Sequence, residues 1–120
     1  MLDVVNRDNV GWLLDFHFFH VADRSLESLA RAGADRLLLV HVNDLPHLPL
    51  EDLALGKATR VFPGDGAVAT EGILKTLHQL GYQGPFSVEI LDPKLLSWDP
   101  LEFSRMAKAK MLAVLDRYYR

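Results

Sequence analysis

The chain contains no cysteine, and that absence alone removes disulfide staples, thiolate nucleophiles and cysteine-ligated zinc from its chemistry. It fits a reducing compartment, and any metal has to be held by His, Asp or Glu. A basic excess is also missing: 13 Lys+Arg stand against 16 Asp+Glu, a net charge of −3. A surface built to hold phosphate backbones needs the opposite balance, so a nucleic-acid partner is not expected. No apolar run approaches the roughly 20 residues that span a bilayer. The start, MLDVVNRDNV, lacks the basic and then apolar regions of a secretory signal. The expectation is therefore a cytoplasmic protein with no membrane partner. Low-complexity tracts and internal domain boundaries are absent too. What remains is a chain of 120 residues, 49% hydrophobic and 24% charged, read as one globular domain over 1–120.

One unit recurs along it: a short apolar run, a polar residue at its end, a loop, then a helical pattern. That alternation predicts βα units and a parallel sheet. Strands are expected near 10–16 (VGWLLDF), 36–43 (RLLLVHVN) and 85–91 (PFSVEIL), after a helix remnant at 2–6. Ser25 is expected to cap the helix LESLARA, with Gly33 as its stop. Thr70 is expected to cap the helix carrying Ile73, Leu74, Leu77 and Leu80, and Asp99 a last helix with Pro100 in its first position. The buried stripe of that last helix is predicted as Phe103, Met106, Ala107, Met111, Val114, Leu115 and Tyr118.

The three strands end alike, in Asp15, His41 and Glu89. Loops converge at the C-terminal edge of a parallel sheet, and binding groups collect there. Period-2 alternation puts Asp15 with His17, His41 with Asn43 and Ser87 with Glu89, each pair on one strand face. Each residue alone has a plain reading: turn former, core imidazole, partner of a lysine. Together, two carboxylates and an imidazole aimed at one spot form an O/N set suited to a divalent ion such as Mn²⁺, Mg²⁺, Co²⁺ or Zn²⁺. Asp44 either anchors the following loop or takes the second ring nitrogen of His41. FPGDG at 62–66 lacks the Lys-Ser/Thr of a phosphate-cradling loop and reads as a shaped loop that places Arg60. His47 and His78 read as exposed, Trp12 as core, and Trp98 as a cover for a bound ligand or a plug.

Four segments, VGWLLDFHFF, LLLVHVNDLP, RVFPGDG and GYQGPFSVEIL, resemble in order and spacing the sugar isomerase/epimerase family with the xylose isomerase-like barrel, a family distantly related to endonuclease IV. The resemblance implies an α/β fold, a partial (β/α)₈ TIM barrel made of its last three βα units. It implies Asp15, His41 and Glu89 as three of four metal ligands and Arg60 as a substrate contact. The fourth ligand of that family is a glutamate on an earlier strand. The family usually has Asp-x-x-His, whereas here His stands at +2 and +5 from Asp15. His17 is taken as the substitute that reads a substrate hydroxyl or carbonyl, with His20 undecided. The implied chemistry is metal-assisted proton transfer beside a carbonyl, with Glu89 as ligand and base.

Such a barrel needs about 250 residues, so 120 residues are expected to be part of a longer protein or a short chain that covers its sheet edges by self-association. By itself the chain is expected to be inactive. Three readings follow: the C-terminal part of a metal-dependent sugar isomerase or epimerase, an endonuclease IV-like repair fragment, or a non-catalytic half-barrel module. The second is opposed by the acidic balance and by KATR, where that family carries Asp and His as extra zinc ligands.

Overall fold

The β-branched and leucine-rich runs form three strands, β1 (Trp12–Asp15), β2 (Leu37–Val42) and β3 (Phe86–Val88), all parallel and in the order β1-β2-β3. The computed structural model describes residues 2–54 and 59–119, so Lys57 and Ala58 of KATR lie outside the described residues. Each strand is shorter than its apolar run suggested. β1 begins at Trp12, and its register against β2 shifts between Trp12 and Leu13. It ends early because Asp15 turns the chain into a helix.

Around the sheet lie α1 (Leu2–Val5), α2 (Phe16–Val21), α3 (Leu26–Ala32), α4 (Leu50–Ala54), α5 (Thr70–Gln79), a 3-10 turn at Leu95–Ser97, and α6 (Pro100–Leu115). Ser25 caps α3 by accepting the Ser28 N–H at 3.2 Å, and Gly33 ends it with φ +71°, a conformation only glycine adopts without strain. Asp99 caps α6 by accepting the N–H groups of Leu101 and Glu102, both at 3.0 Å. Thr70 does not cap α5. The cap position belongs to Ala69, and the Thr70 N–H turns back to the Val68 carbonyl at 2.7 Å, which draws Thr70 into the helix as its first residue.

Leu14, Phe16, Val40 and Val42 from the sheet and its edge meet Leu29 of α3, Ile73, Leu74 and Leu77 of α5, and Leu115 of α6 in one apolar core. Each such side chain contributes about 1.5–3 kcal/mol relative to leaving it in water. On α6, Ala107 and Leu115 are buried and Phe103, Met111 and Val114 partly so, whereas Met106 is 40% exposed; Tyr118, expected on the same stripe, lies partly buried in the turn after the helix ends at Leu115. The buried stripe of α6 runs along Ala107, Met111 and Leu115 and is narrower than the apolar residues alone suggested. No described helix is long and apolar enough to cross a membrane.

Candidate functional site

The opening run WLLDFHFFHV changes period at Asp15. That residue is the last of β1 and also the N-cap of α2, its Oδ1 accepting the N–H of His17 at 2.8 Å and of Phe18 at 3.4 Å. His17 therefore stands in the first turn of a helix, not beside Asp15 on a strand face, and His20 follows in the last turn. The alternation expected for Asp15 and His17 fails because the cap converts extended backbone to helix within one residue.

Register carries the rest of the site. Asp15 pairs with His41 across β1 and β2, and His41 pairs with Ser87 across β2 and β3. Glu89, two residues beyond Ser87, follows on the same side of the extended chain, with its N–H on the Val42 carbonyl at 3.3 Å. One ligand atom from each of Asp15, His41 and Glu89 lies within 4.8 Å of the others. His41 Nδ1 is 3.5 Å from Asp15 Oδ2 and 3.3 Å from Glu89 Oε2.

The two oxygens of Asp15 have different surroundings. Oδ1 also accepts the side-chain amide of Asn43 at 3.2 Å, which completes three donors on that atom. Oδ2 faces His41 and the Arg60 guanidinium, whose Nη2 lies 3.2 Å away. Arg60 is not a solvated surface residue. It is 8% exposed, and its Nη1 contacts Glu89 Oε2 and lies 3.3 Å from the Glu89 carbonyl. A buried Asp15 beside Glu89 needs such a positive partner. Asn43, with no exposed surface, was signalled only by sharing the HVN run with His41.

Burial, and next the Arg60 charge, hold the His17 imidazole below its ordinary value of 6.5, so it is neutral at neutral pH. Its Nδ1 is buried without a hydrogen-bond partner. Asp44 resolves to the loop anchor: Oδ1 accepts the N–H of Leu45 and of Val68, both at 2.8 Å, and Oδ2 accepts the N–H of Gly64 at 3.1 Å. Gly66 is required in that loop because a Cβ there would stand 2.1 Å from the Leu45 carbonyl oxygen. His47 and His78 are exposed, and His78 lies edge-on to the Tyr119 ring at 5.6 Å. Trp12 packs against the core, and Trp98, 41% exposed, has Phe62 as its ring neighbour at 6.1 Å. Two carboxylates and an imidazole in one cluster, balanced by a single guanidinium, are a donor set that fits a divalent cation.

The sequence model of the xylose isomerase-like TIM barrel matches residues 1–113. Inosose isomerase of Bacillus licheniformis is 34% identical over 116 residues, which are 97% of this chain and 41% of that protein. Inosose isomerase of Bacillus subtilis is 31% identical over 119 residues, 99% of this chain and 42% of that protein. The crystal structure of the IOLI protein, which holds a zinc atom, matches with a TM-score of 0.89 at 31% identity, over 98% of this chain and 42% of that one. The chain thus spans less than half the length of the proteins it matches.

Proposed function

The chain belongs to the xylose isomerase-like TIM barrel family, and from that premise we propose that it is the C-terminal part of a divalent-metal-dependent sugar isomerase or epimerase. The observation that carries this reading is the gathering of Asp15, His41 and Glu89 at the C-terminal edge of a parallel sheet. These three would hold the ion, Mn²⁺, Mg²⁺, Co²⁺ or Zn²⁺. Zinc gains weight from the zinc atom in the related IOLI structure. When bound, the ion polarises a carbonyl and offsets the charge that develops on its oxygen, which acidifies the neighbouring C–H.

Glu89 is the base. Its side chain is 33% exposed, more open than the 5% of Asp15, so its carboxylate can reach a substrate proton. His17, neutral, donates to or accepts from a substrate hydroxyl or carbonyl. Arg60 supplies N–H donors to substrate oxygens. The outer edges of β1 and β3 are covered by the rest of a barrel, from the same polypeptide or a second copy.

Calorimetric titration with Mn²⁺ tests the reading. Glu89→Gln keeps the side-chain shape and removes the anion, so affinity should fall by about 100-fold or more, since charged ligand oxygens dominate such sites. In a complete barrel the same variant should also stop exchange of the substrate α-proton with solvent. Unchanged Mn²⁺ affinity would make Glu89 a structural residue and defeat the proposal.

A further inference from the structure

We infer that Asn43 is a positioning residue: its side-chain amide fixes the rotation of the Asp15 carboxylate beside His41, and through that rotation it sets how tightly the site holds a divalent ion. The inference rests on the reading of Asp15, His41 and Glu89 as metal ligands, and adds to it a residue that acts through one of them.

The case begins where pairing between two strands stops. β1 and β2 pair in register as far as Asp15 and His41, the last rung of that ladder. There the chain leaves β1 for α2. The Asn43 side chain makes the next link between the two strands, its Nδ2 donating to Asp15 Oδ1 at 3.2 Å across 28 positions of sequence. On the other side of β2 the backbone does this work, with the Val42 carbonyl accepting the Glu89 N–H at 3.3 Å. The run HVN at 41–43 thus supplies one candidate ligand and ties down the other two, Glu89 through the Val42 carbonyl and Asp15 through the Asn43 amide. Of these two ties, the second is a side chain that a substitution can remove.

Energetics separate this role from a purely structural one. Asn43 has no exposed surface, and its Oδ1 is buried without a hydrogen-bond partner. A buried carbonyl oxygen left unmatched costs at least as much as one hydrogen bond contributes, so an apolar side chain of comparable size would serve the fold as well. The amide is explained by its partner. Asp15 Oδ1 accepts the N–H of His17 at 2.8 Å and of Phe18 at 3.4 Å, and both donors belong to the helix that Asp15 caps. The third donor comes from the chain that carries His41, so it refers the carboxylate to the neighbouring ligand. In that orientation Oδ2 stands 3.5 Å from His41 Nδ1. Without the amide the cap of α2 survives, but the carboxylate can turn about its last torsion and Oδ2 loses its fixed place. Hydrogen-bond partners that orient a metal ligand typically change affinity by about 10- to 100-fold.

The experiment is Mn²⁺ calorimetry on the 120-residue chain, comparing wild type, Asn43→Val, Asp15→Asn and the double variant. Asn43→Val removes the donor and should bind Mn²⁺ about 10- to 100-fold more weakly than wild type. In the Asp15→Asn background, where the carboxylate is gone, the same change should weaken binding by less than about 3-fold, because Asn43 acts through Asp15. Equal losses in the two backgrounds overturn the inference, as does unchanged affinity in Asn43→Val. If Asp15→Asn binds too weakly to titrate, the visible spectrum of Co²⁺ bound at saturation to Asn43→Val decides: bands shifted from wild type support the inference, and wild-type bands overturn it. Should Asn43→Val fail to fold, the smaller Asn43→Ala takes its place, and loss of circular dichroism in both makes Asn43 structural and overturns the inference. No Mn²⁺ binding by wild type overturns the metal reading itself.

Discussion

Two buried aspartates stand at the C-terminal edge of the sheet, and their surroundings differ. Asp44 spends both oxygens on backbone amides of the loop it holds, three N–H groups in all. Asp15 spends Oδ1 on two amides and Asn43, and turns Oδ2 toward His41 and Arg60. A carboxylate whose two oxygens both hold backbone N–H groups stabilises one loop conformation. One that is half saturated is held rigidly and still has an oxygen to offer. The contrast separates a structural acid from a candidate ligand more sharply than burial, since the two are 1% and 6% exposed.

The same substitution at both positions is the strongest way to break that contrast. Asp44→Asn places an amide N–H against backbone donors and removes the charge that three of them share. It should cost on the order of 3 kcal/mol in urea unfolding. Asp15→Asn retains an acceptor for the cap of α2, so its stability cost should stay near about 1 kcal/mol, while Mn²⁺ affinity falls as it does in Glu89→Gln. Equal destabilisation by the two variants would mean that Asp15 is as structural as Asp44.

How much of this was legible in the sequence follows from the range of each signal. The three strand ends could be read because apolar runs that close on Asp15, His41 and Glu89 are local features, and parallel pairing in register then brings them together. The helix at Phe16–Val21 was hidden because FHFFHV continues the apolar run without a break, and only the hydrogen bonds of Asp15 mark the change of period. Burial of Arg60 was hidden for a different reason. Its partners lie 45 residues before it and 29 after it, and a long charged side chain carries no local sign of being enclosed. Asn43 and Asp15 are likewise 28 positions apart. Misplacing the α5 cap on Thr70 was a shift of one residue, decided by a backbone turn that side-chain preference does not encode.

The smallest expected effect comes from His17, whose imidazole value is lowered, and it sharpens the contrast from the side of pH. Burial first, then Arg60, lowers its folded-state value below 6.5, so between those two values the unfolded chain binds more protons than the folded one. Stability therefore rises with pH through that window. The contribution is complete above the ordinary value and is lost as pH falls through the lowered one. His17→Gln removes the titrating ring, so its stability should fall less steeply than wild type as the pH drops from about 7.5 to about 5, where histidines titrate. The difference should amount to less than one proton, under about 1.4 kcal/mol per pH unit. Parallel pH profiles in urea unfolding would mean that His17 is as solvated as His47 and has no part in the enclosed half of the site. A shallower profile in the variant would place it with Asp15 and Arg60, in the half where polar groups are held for something other than the fold.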